Sequence, residues 1–370
     1  MSEKKIKEVI AKTFLDMADG LETGSFGRKP VIGLAAEESE HGNDVLETAI
    51  ELAKKKGIEV VFIQGDNAHS EMEKMLDENL IDGAVTMHYP FPIGVSTVGK
   101  VITPANGKHM YLATTTGTAD TDRVVAMVKN AIYGIIAAKA DGVKNPTVGI
   151  ANIDGARQCE KALKKLQVNG YPIVFAESSR ADGGAVMRGN DLLQGTADVM
   201  VMDSLTGNLM AKIFSSYTTG GSYESLGWGY GPGIGESFDK VIMIISRASG
   251  APVITGAIEY AVSLLKNDLQ KISTKEIEKA KSAGLLDIIK EITVDKNVLH
   301  ENDKAAAPKK EVVTAQIPGI EVMDLEDAVM ALWKEGIYAE SGMGCTGPIV
   351  LINEAKLEVA KKLLEEKNYV

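Results

Sequence analysis

At 370 residues the chain exceeds one typical domain and can bury a large core. Hydrophobic residues make up 45%, aromatic residues only 5%, and there are 37 glycines, a balance that argues against an all-β protein and for an Ala/Val/Ile/Gly-rich α/β one. A formal charge of −11 excludes a sequence-independent grip on nucleic acid, which needs a basic face.

No apolar run is long enough to cross a bilayer, and the first twenty residues carry scattered charges in place of a signal peptide's apolar core, so a cytoplasmic protein is expected. Cys159 and Cys345 are the only cysteines, too few for a disulfide framework or a zinc site, and both are expected reduced. The five histidines, His41, His69, His88, His109 and His300, show no close pairing. Neither a metal nor another cofactor is expected.

In chain order, Lys4 to Ala18 has the spacing of an amphipathic helix, an arm for another lobe or subunit. Val31 to Ala36 predicts a strand, His41 to Lys56 a helix and Ile58 to Ile63 a strand, one right-handed βαβ unit. Glu71 to Asn79 predicts a helix, Gly83 to Met87 and Met110 to Thr114 strands, and Asp120 to Ala138 a long helix. The hydroxyls of Thr114 to Thr118 are expected to cap that helix. Residues 1–145 form a first lobe on this reading.

A second lobe, 146–295, opens with the strand Pro146 to Asp154 and the helix Arg157 to Val168, where Cys159 has the setting of a small packed residue. Pro172 to Ala176 is a further strand, and Ser178 to Gly189 a polar loop. Val199 to Met202 is an unbroken apolar run suited to a parallel strand covered on both faces. The polar turn Asp203-Ser204-Leu205-Thr206-Gly207-Asn208 follows, and a helix carrying Lys212 is expected to start after Asn208. Strand, polar turn and helix start aim free N–H groups at one spot, a place for an anion.

From Gly220 to Gly235 seven glycines fall in sixteen residues. Then Val241 to Ile245, a second buried-strand run, ends in Ser246-Arg247. Two neighbouring strands ending in polar residues fit a ligand site at the carboxyl edge of an open sheet, and the planar fork of Arg247 suits phosphate. Ala251 to Gln270 and Thr274 to Lys281 predict helices. Residues 296–318 have the composition of a linker. A small lobe, 319–370, holds the helix Asp324 to Glu335, the glycine-rich turn Glu340 to Pro348 with Cys345, the strand Ile349 to Ile352 and the helix Glu354 to Glu366. Small neighbours leave the Cys345 sulfur approachable, which suits a reactive thiol and equally an incidental turn residue.

The run from Ala197 to Asn208, with Lys212 after it, resembles the Asp, Gly-Asn, Lys pattern of phosphate acetyltransferases and the phosphate acyltransferase PlsX. Ser246-Arg247 resembles the pair with which phosphate acetyltransferases hold the phosphoryl group. The resemblance implies a two-lobed, mostly parallel, isopropylmalate dehydrogenase-like sheet. It also implies phosphate or substrate contacts at Asp203, Ser204, Gly207, Asn208, Lys212, Ser246 and Arg247. Six residues after Arg247, where those enzymes carry a catalytic Asp, stands Val253, so direct acetyl transfer between coenzyme A and phosphate is not implied.

Nearly the whole chain, with Gly342-Met-Gly-Cys-Thr-Gly-Pro348 as the most distinctive part, resembles the alpha subunits of protein C of glycine/sarcosine/betaine reductase complexes. That family implies a hetero-oligomer with a ketoacyl-synthase-like beta subunit, and work with a carboxymethylated selenoprotein. It implies phosphorolysis of an acetyl thioester to acetyl phosphate, with Cys345 as the functional thiol and no contact with membrane or nucleic acid. A stand-alone phosphate acyltransferase and a non-catalytic scaffold subunit remain the competing readings.

Overall fold

The computed structural model describes residues 29–35, 39–65, 67–179, 183–297, 306–318, 320, 325–344, 347–367 and 369–370, with scattered positions between 7 and 21. The expected helix at Lys4 to Ala18 therefore falls largely outside the described residues, and Cys345 lies outside them.

Eleven strands form one sheet. They are β1 (Val31–Ala35), β2 (Glu59–Ile63), β3 (Gly83–Thr86), β4 (Val95–Ile102), β5 (His109–Thr118), β6 (Thr147–Ala151), β7 (Val174–Phe175), β8 (Val186–Met187), β9 (Val199–Val201), β10 (Gly231–Gly235) and β11 (Ile242–Ile244). Their order is β2-β1-β3-β11-β10-β4-β5-β9-β6-β7, with β8 also on β6. The first wing, β2-β1-β3-β11, is parallel, and so is the second, β5-β9-β6-β7. Between them the pairings of β11 with β10, β10 with β4 and β4 with β5 are all antiparallel. Three reversals in a row leave the two wings running in opposite directions.

Unbroken apolar runs such as Val31 to Ala35 are buried along their whole length because helices cover both faces. One face packs on α1 (Asn43–Lys55), α3 (Arg123–Ala140), α4 (Ala156–Val168), α7 (Ala251–Lys266), α8 (Leu269–Ser282) and α9 (Leu285–Asn297), through a core that includes Leu46, Met127, Leu163, Ile254, Ile277 and Ile288. The other packs on α2 (Ala68–Asp77), α5 (Gly189–Gln194) and α6 (Ser204–Ser216), through Met72, Leu192, Ala211 and Phe214. Cys159 is fully buried on α4, and burial pushes its thiol well above the ordinary range.

The C-terminal lobe has its own antiparallel sheet, in the order β12 (Ala315–Pro318), β14 (Gly347–Ile352), β13 (Ala339–Gly344). Two helices, α10 (Leu325–Lys334) and α11 (Leu357–Glu366), close a separate core of Ile317, Leu325, Leu332, Val350, Ile352 and Leu364. The mostly parallel α/β sheet with an added small lobe is the architecture expected. Ala315–Pro318, the end of the expected linker, is a strand of the small lobe, and much of the expected glycine-rich turn is hairpin strand. The lobe sits against the segment before β4: Gly342 bridges Pro92, the Met343 N–H reaches the Phe91 carbonyl at 3.4 Å, and Ile93 packs on the lobe's core.

Candidate functional site

The helix after β9 starts earlier than its sequence pattern suggests. Asp203 is its N-cap: the carboxylate accepts the Thr206 N–H and hydroxyl, each at 2.9 Å, and Arg123 Nη2 at 2.9 Å. Gly207 and Asn208 consequently lie within the first turns, and the Gly207 N–H is already given to the Asp203 carbonyl at 2.9 Å. An incoming anion at this helix start would meet the Asp203 carboxylate beside the first-turn N–H groups. Gly207 answers a packing demand, since a Cβ there would stand 1.7 Å from the Thr114 carbonyl oxygen. Without a side chain α6 lies directly on β5. Asn208 is half-buried and shares a helix face with Lys212, four residues on.

Thr114 to Thr118 are strand residues, and Asp122 caps α3, accepting the N–H groups of Val124 and Val125. The threonine hydroxyls instead tie the central strands together: Thr97 Oγ1 contacts Thr115 Oγ1 at 2.7 Å, and Thr115 Oγ1 donates to the Tyr230 carbonyl at 2.5 Å.

Glu224, in the glycine-rich segment, is the hub of the second polar cluster and is only 2% exposed. Its Oε1 accepts the Tyr230 hydroxyl and the Ser246 hydroxyl, each at 2.7 Å, and its Oε2 accepts the Ser249 hydroxyl at 2.6 Å. Lys212 Nζ stands 3.6 Å from the same Oε1. At that separation, longer than the ~2.9 Å of a direct hydrogen bond, the cation balances the carboxylate without being tied to it. Burial, and then the neighbouring carboxylate, raise the Tyr230 phenol far above its ordinary value, so it stays a donor. Ser249 Oγ also accepts the Ser246 N–H at 3.0 Å, which fixes the turn between β11 and α7.

The expectation that the strands before Asp203 and before Ser246 are neighbours is corrected here. β10, β4 and β5 separate β9 from β11, and the two run in opposite senses because of the antiparallel centre. α6 supplies the link. It starts at the end of β9, packs across β5 and β4, and delivers Lys212 to Glu224 beside Ser246. Lys212 and Ser246 are thus brought together, while Asp203 and Ser204 stay at the far end of a 13-residue helix, about 20 Å long.

Arg247 is exposed where β3 and β11 end, and its Nε donates to His88 Nε2 at 2.9 Å. Thr86, the last residue of β3, meets His69 Nε2 at 2.8 Å. The first wing reverses its strand order beside β3, the kind of carboxyl-edge crevice where open sheets take ligands. Val253, at the position of the missing Asp, is fully buried in the first turn of α7.

Glu224, Arg123 and His88 are among the described polar residues to which sequence reasoning assigned no role. Glu224 left one signal, a lone acid inside a Gly/Ser-rich stretch. Among the described residues no group of three His, Cys, Asp or Glu side chains could hold a metal ion, and no helix is long and apolar enough to cross a membrane.

A mostly parallel sheet with an antiparallel centre, a glycine-bearing helix after β9 and a Ser-Arg turn after β11 define a class, and residues 23–351 match the fatty acid synthesis protein family, to which the chain belongs. It is 55% identical over 381 residues, covering 99% of each chain, to the glycine/sarcosine/betaine reductase complex component C subunit alpha of Peptoclostridium acidaminophilum.

Proposed function

We propose that the chain is the alpha subunit of the acetyl-phosphate-forming component of a glycine/sarcosine/betaine reductase complex, and that it holds inorganic phosphate for attack on an acetyl thioester. The observation that carries this reading is the meeting of Lys212, from α6, and Ser246, from the end of β11, at one oxygen of the buried Glu224. The near-complete match to a component C alpha subunit supports the same assignment.

In the proposed step a phosphate oxygen attacks the thioester carbonyl carbon and the carbon–sulfur bond breaks. The thiolate leaves and takes up a proton, and acetyl phosphate is released. Phosphate is a weak nucleophile, so the residues that hold it do most of the work by positioning. Lys212 and Arg247 supply charge, Ser246 a hydroxyl that turns from Glu224 to the anion when phosphate binds, and Asn208 a side-chain amide on the Lys212 face. Asp203, Ser204 and Gly207 set the pitch of α6 and so the place of Lys212. Cys345 is the thiol that receives or passes on the acetyl group. The partners are a ketoacyl-synthase-like beta subunit and a carboxymethylated selenoprotein, in a cytoplasmic hetero-oligomer.

The test is acetyl phosphate release from an acetyl thioester by the assembled alpha and beta subunits. Lys212→Ala and Arg247→Ala are each expected to raise the KM for phosphate about tenfold, equivalent to ~1.4 kcal/mol. Cys345→Ser is expected to stop turnover. Unchanged rates in all three variants would leave the chain a scaffold. The buried Val253 weighs against a stand-alone acetyl-CoA:phosphate transferase, and the isolated chain is expected to be inactive with acetyl coenzyme A.

A further inference from the structure

The turn that carries Ser246 and Arg247 is pinned along its backbone. The Ser246 N–H is given to Ser249 Oγ at 3.0 Å, the Ala248 N–H to Ser246 Oγ at 3.1 Å, and the Arg247 carbonyl accepts the Glu40 N–H at 3.0 Å. Backbone anchoring does not aim the exposed Arg247 side chain, whose type has among the largest rotamer freedom of any residue. His88 does: its Nε2 accepts the Arg247 Nε–H at 2.9 Å. A guanidinium keeps its protons in a protein, so the ring nitrogen is the acceptor, and in this contact His88 is a neutral imidazole with its proton on Nδ1. One fixed N–H settles the plane of a rigid fork, and with it the direction in which the two terminal nitrogens face.

We infer that His88 is a positioning residue for phosphate acting through Arg247, an inference that rests on the reading of Arg247 as a phosphate ligand. His88 stands on a fixed platform. It follows the end of β3 by two residues, after the buried Met87, and the Thr86 carbonyl accepts the Ile245 N–H at 2.9 Å. The strand that leads to His88 and the strand that leads to Ser246-Arg247 are therefore paired neighbours, running parallel. On the other side of His88, Tyr89 donates its hydroxyl to Glu73 on α2 at 2.7 Å and meets the Phe91 ring edge-on, with centroids 4.9 Å apart. Pro90 and Pro92 restrict the backbone beyond it. An arginine aimed in advance from such a platform loses less entropy on binding than one that the anion itself must order.

The residue type matters as much as the place. A carboxylate at position 88 would grip a guanidinium more firmly, through a charge-assisted pair, but its negative charge would oppose the incoming phosphate. An imidazole supplies direction and adds no negative charge. The two neighbours in the turn are thus aimed from different sides, Ser246 by Glu224 and Arg247 by His88.

Acetyl phosphate release by the assembled alpha and beta subunits, measured across phosphate concentrations, tests this. His88→Ala and His88→Leu are each expected to raise the KM for phosphate about fivefold with kcat unchanged, the scale of ordering one long side chain. His88→Gln, whose side-chain oxygen can accept the same N–H, is expected to stay within about twofold of wild type. His88→Glu keeps a grip on Arg247 but is expected to raise the KM more than His88→Ala does. In an Arg247→Ala background His88→Ala is expected to add nothing, because its route to the anion is gone. An unchanged KM in both His88→Ala and His88→Leu, with Arg247→Ala raising it, would overturn the inference and leave Arg247 a phosphate ligand. So would a His88→Ala effect that persists in full without Arg247, or a His88→Glu variant with the wild-type KM. If Arg247→Ala itself leaves the KM unchanged, the phosphate reading of this turn fails first and the role of His88 falls with it.

Discussion

The carboxylate of Glu224 receives the hydroxyl of Ser246 at 2.7 Å, inside the protein and beneath the turn that also carries Arg247. Glu224→Ala removes the acceptor for three hydroxyls at once and leaves the buried Tyr230 hydroxyl without its partner. Each orphaned buried group costs ~1–3 kcal/mol, so a loss of about 3 kcal/mol is expected in urea unfolding. Glu224→Gln keeps an accepting oxygen and is expected to lose about half as much. Because Gln no longer offsets Lys212, phosphate affinity should shift in Glu224→Gln while the fold persists. Equal phosphate Kd values for wild type and Glu224→Gln would separate Glu224 from the site.

The parallel wings were legible because their strands are unbroken apolar runs, as at Val31 to Ala35 and Ile242 to Ile244. The centre was not. β10 reads Gly-Pro-Gly-Ile-Gly, a composition that disfavours a strand, and tertiary contacts impose it. A Cβ at Gly231 would stand 1.8 Å from the Val98 carbonyl oxygen, and one at Gly233 would stand 2.3 Å from the Phe91 ring. β4 hides for another reason: Ser96, Thr97, Gly99 and Lys100 interrupt its apolar run although all four are buried. With those two strands unseen, the opposed wings could not be inferred, and Asp203 and Ser246 were set side by side. Lys212, Ser246 and Arg247 were legible as residue types in a pattern. Glu224 was not, because its partners Ser246 and Ser249 lie 22 and 25 residues away.

Gly207→Ala separates helix propensity from packing. Alanine favours a helix by ~1 kcal/mol over glycine, so an isolated α6 would gain. In the protein the new methyl would lie 1.7 Å from the Thr114 oxygen, and that oxygen belongs to backbone. Overpacking at such a contact costs ~1–3 kcal/mol or more. Net destabilisation is expected, seen as a lower urea midpoint. A raised midpoint would mean that α6 does not rest on β5 as described.

Substitutions at Asp203 locate the anion. Asn caps as well as Asp, so Asp203→Asn gives up only the half-exposed Arg123 ion pair, less than about 1 kcal/mol, whereas Asp203→Ala also loses the cap, about 1–2 kcal/mol in all. If phosphate binds at Lys212 and Ser246, its Kd, read by calorimetry, stays the same in Asp203→Asn. A tighter Kd on removal of that negative charge would place the anion at the start of α6 instead.

Cys159 is expected to be an unreactive thiol. Cys159 is 0% exposed and burial raises its pKa, so almost none is present as thiolate near neutral pH. A disulfide reagent added to the folded chain is expected to spare Cys159 and to label it only on unfolding. Peptide mapping of the labelled protein reads this directly. Labelling of Cys159 in the native state at the rate of a free thiol would show that α4 opens readily.

Asp191, 0% exposed at α5, gives the chain an acid limit. Burial acts to raise its pKa. The Ser179 and Arg188 N–H groups at 2.9 and 2.8 Å and the Ser178 hydroxyl at 2.7 Å outweigh burial. The result is a value lowered from 3.8 to about 2. The unfolded chain therefore binds a proton at higher pH than the folded one. The carboxylate's contribution is complete above the unfolded value of ~4 and is lost as pH falls toward 2, about 2 kcal/mol in total. Asp191→Asn should flatten the wild-type fall in stability between pH 4 and pH 2, as measured by urea midpoints. Parallel wild-type and variant curves across that window would assign the acid sensitivity to other carboxylates, of which Glu160 and Glu276 are also held below their ordinary range by paired lysines and, for Glu160, Arg157, against the opposing effect of burial.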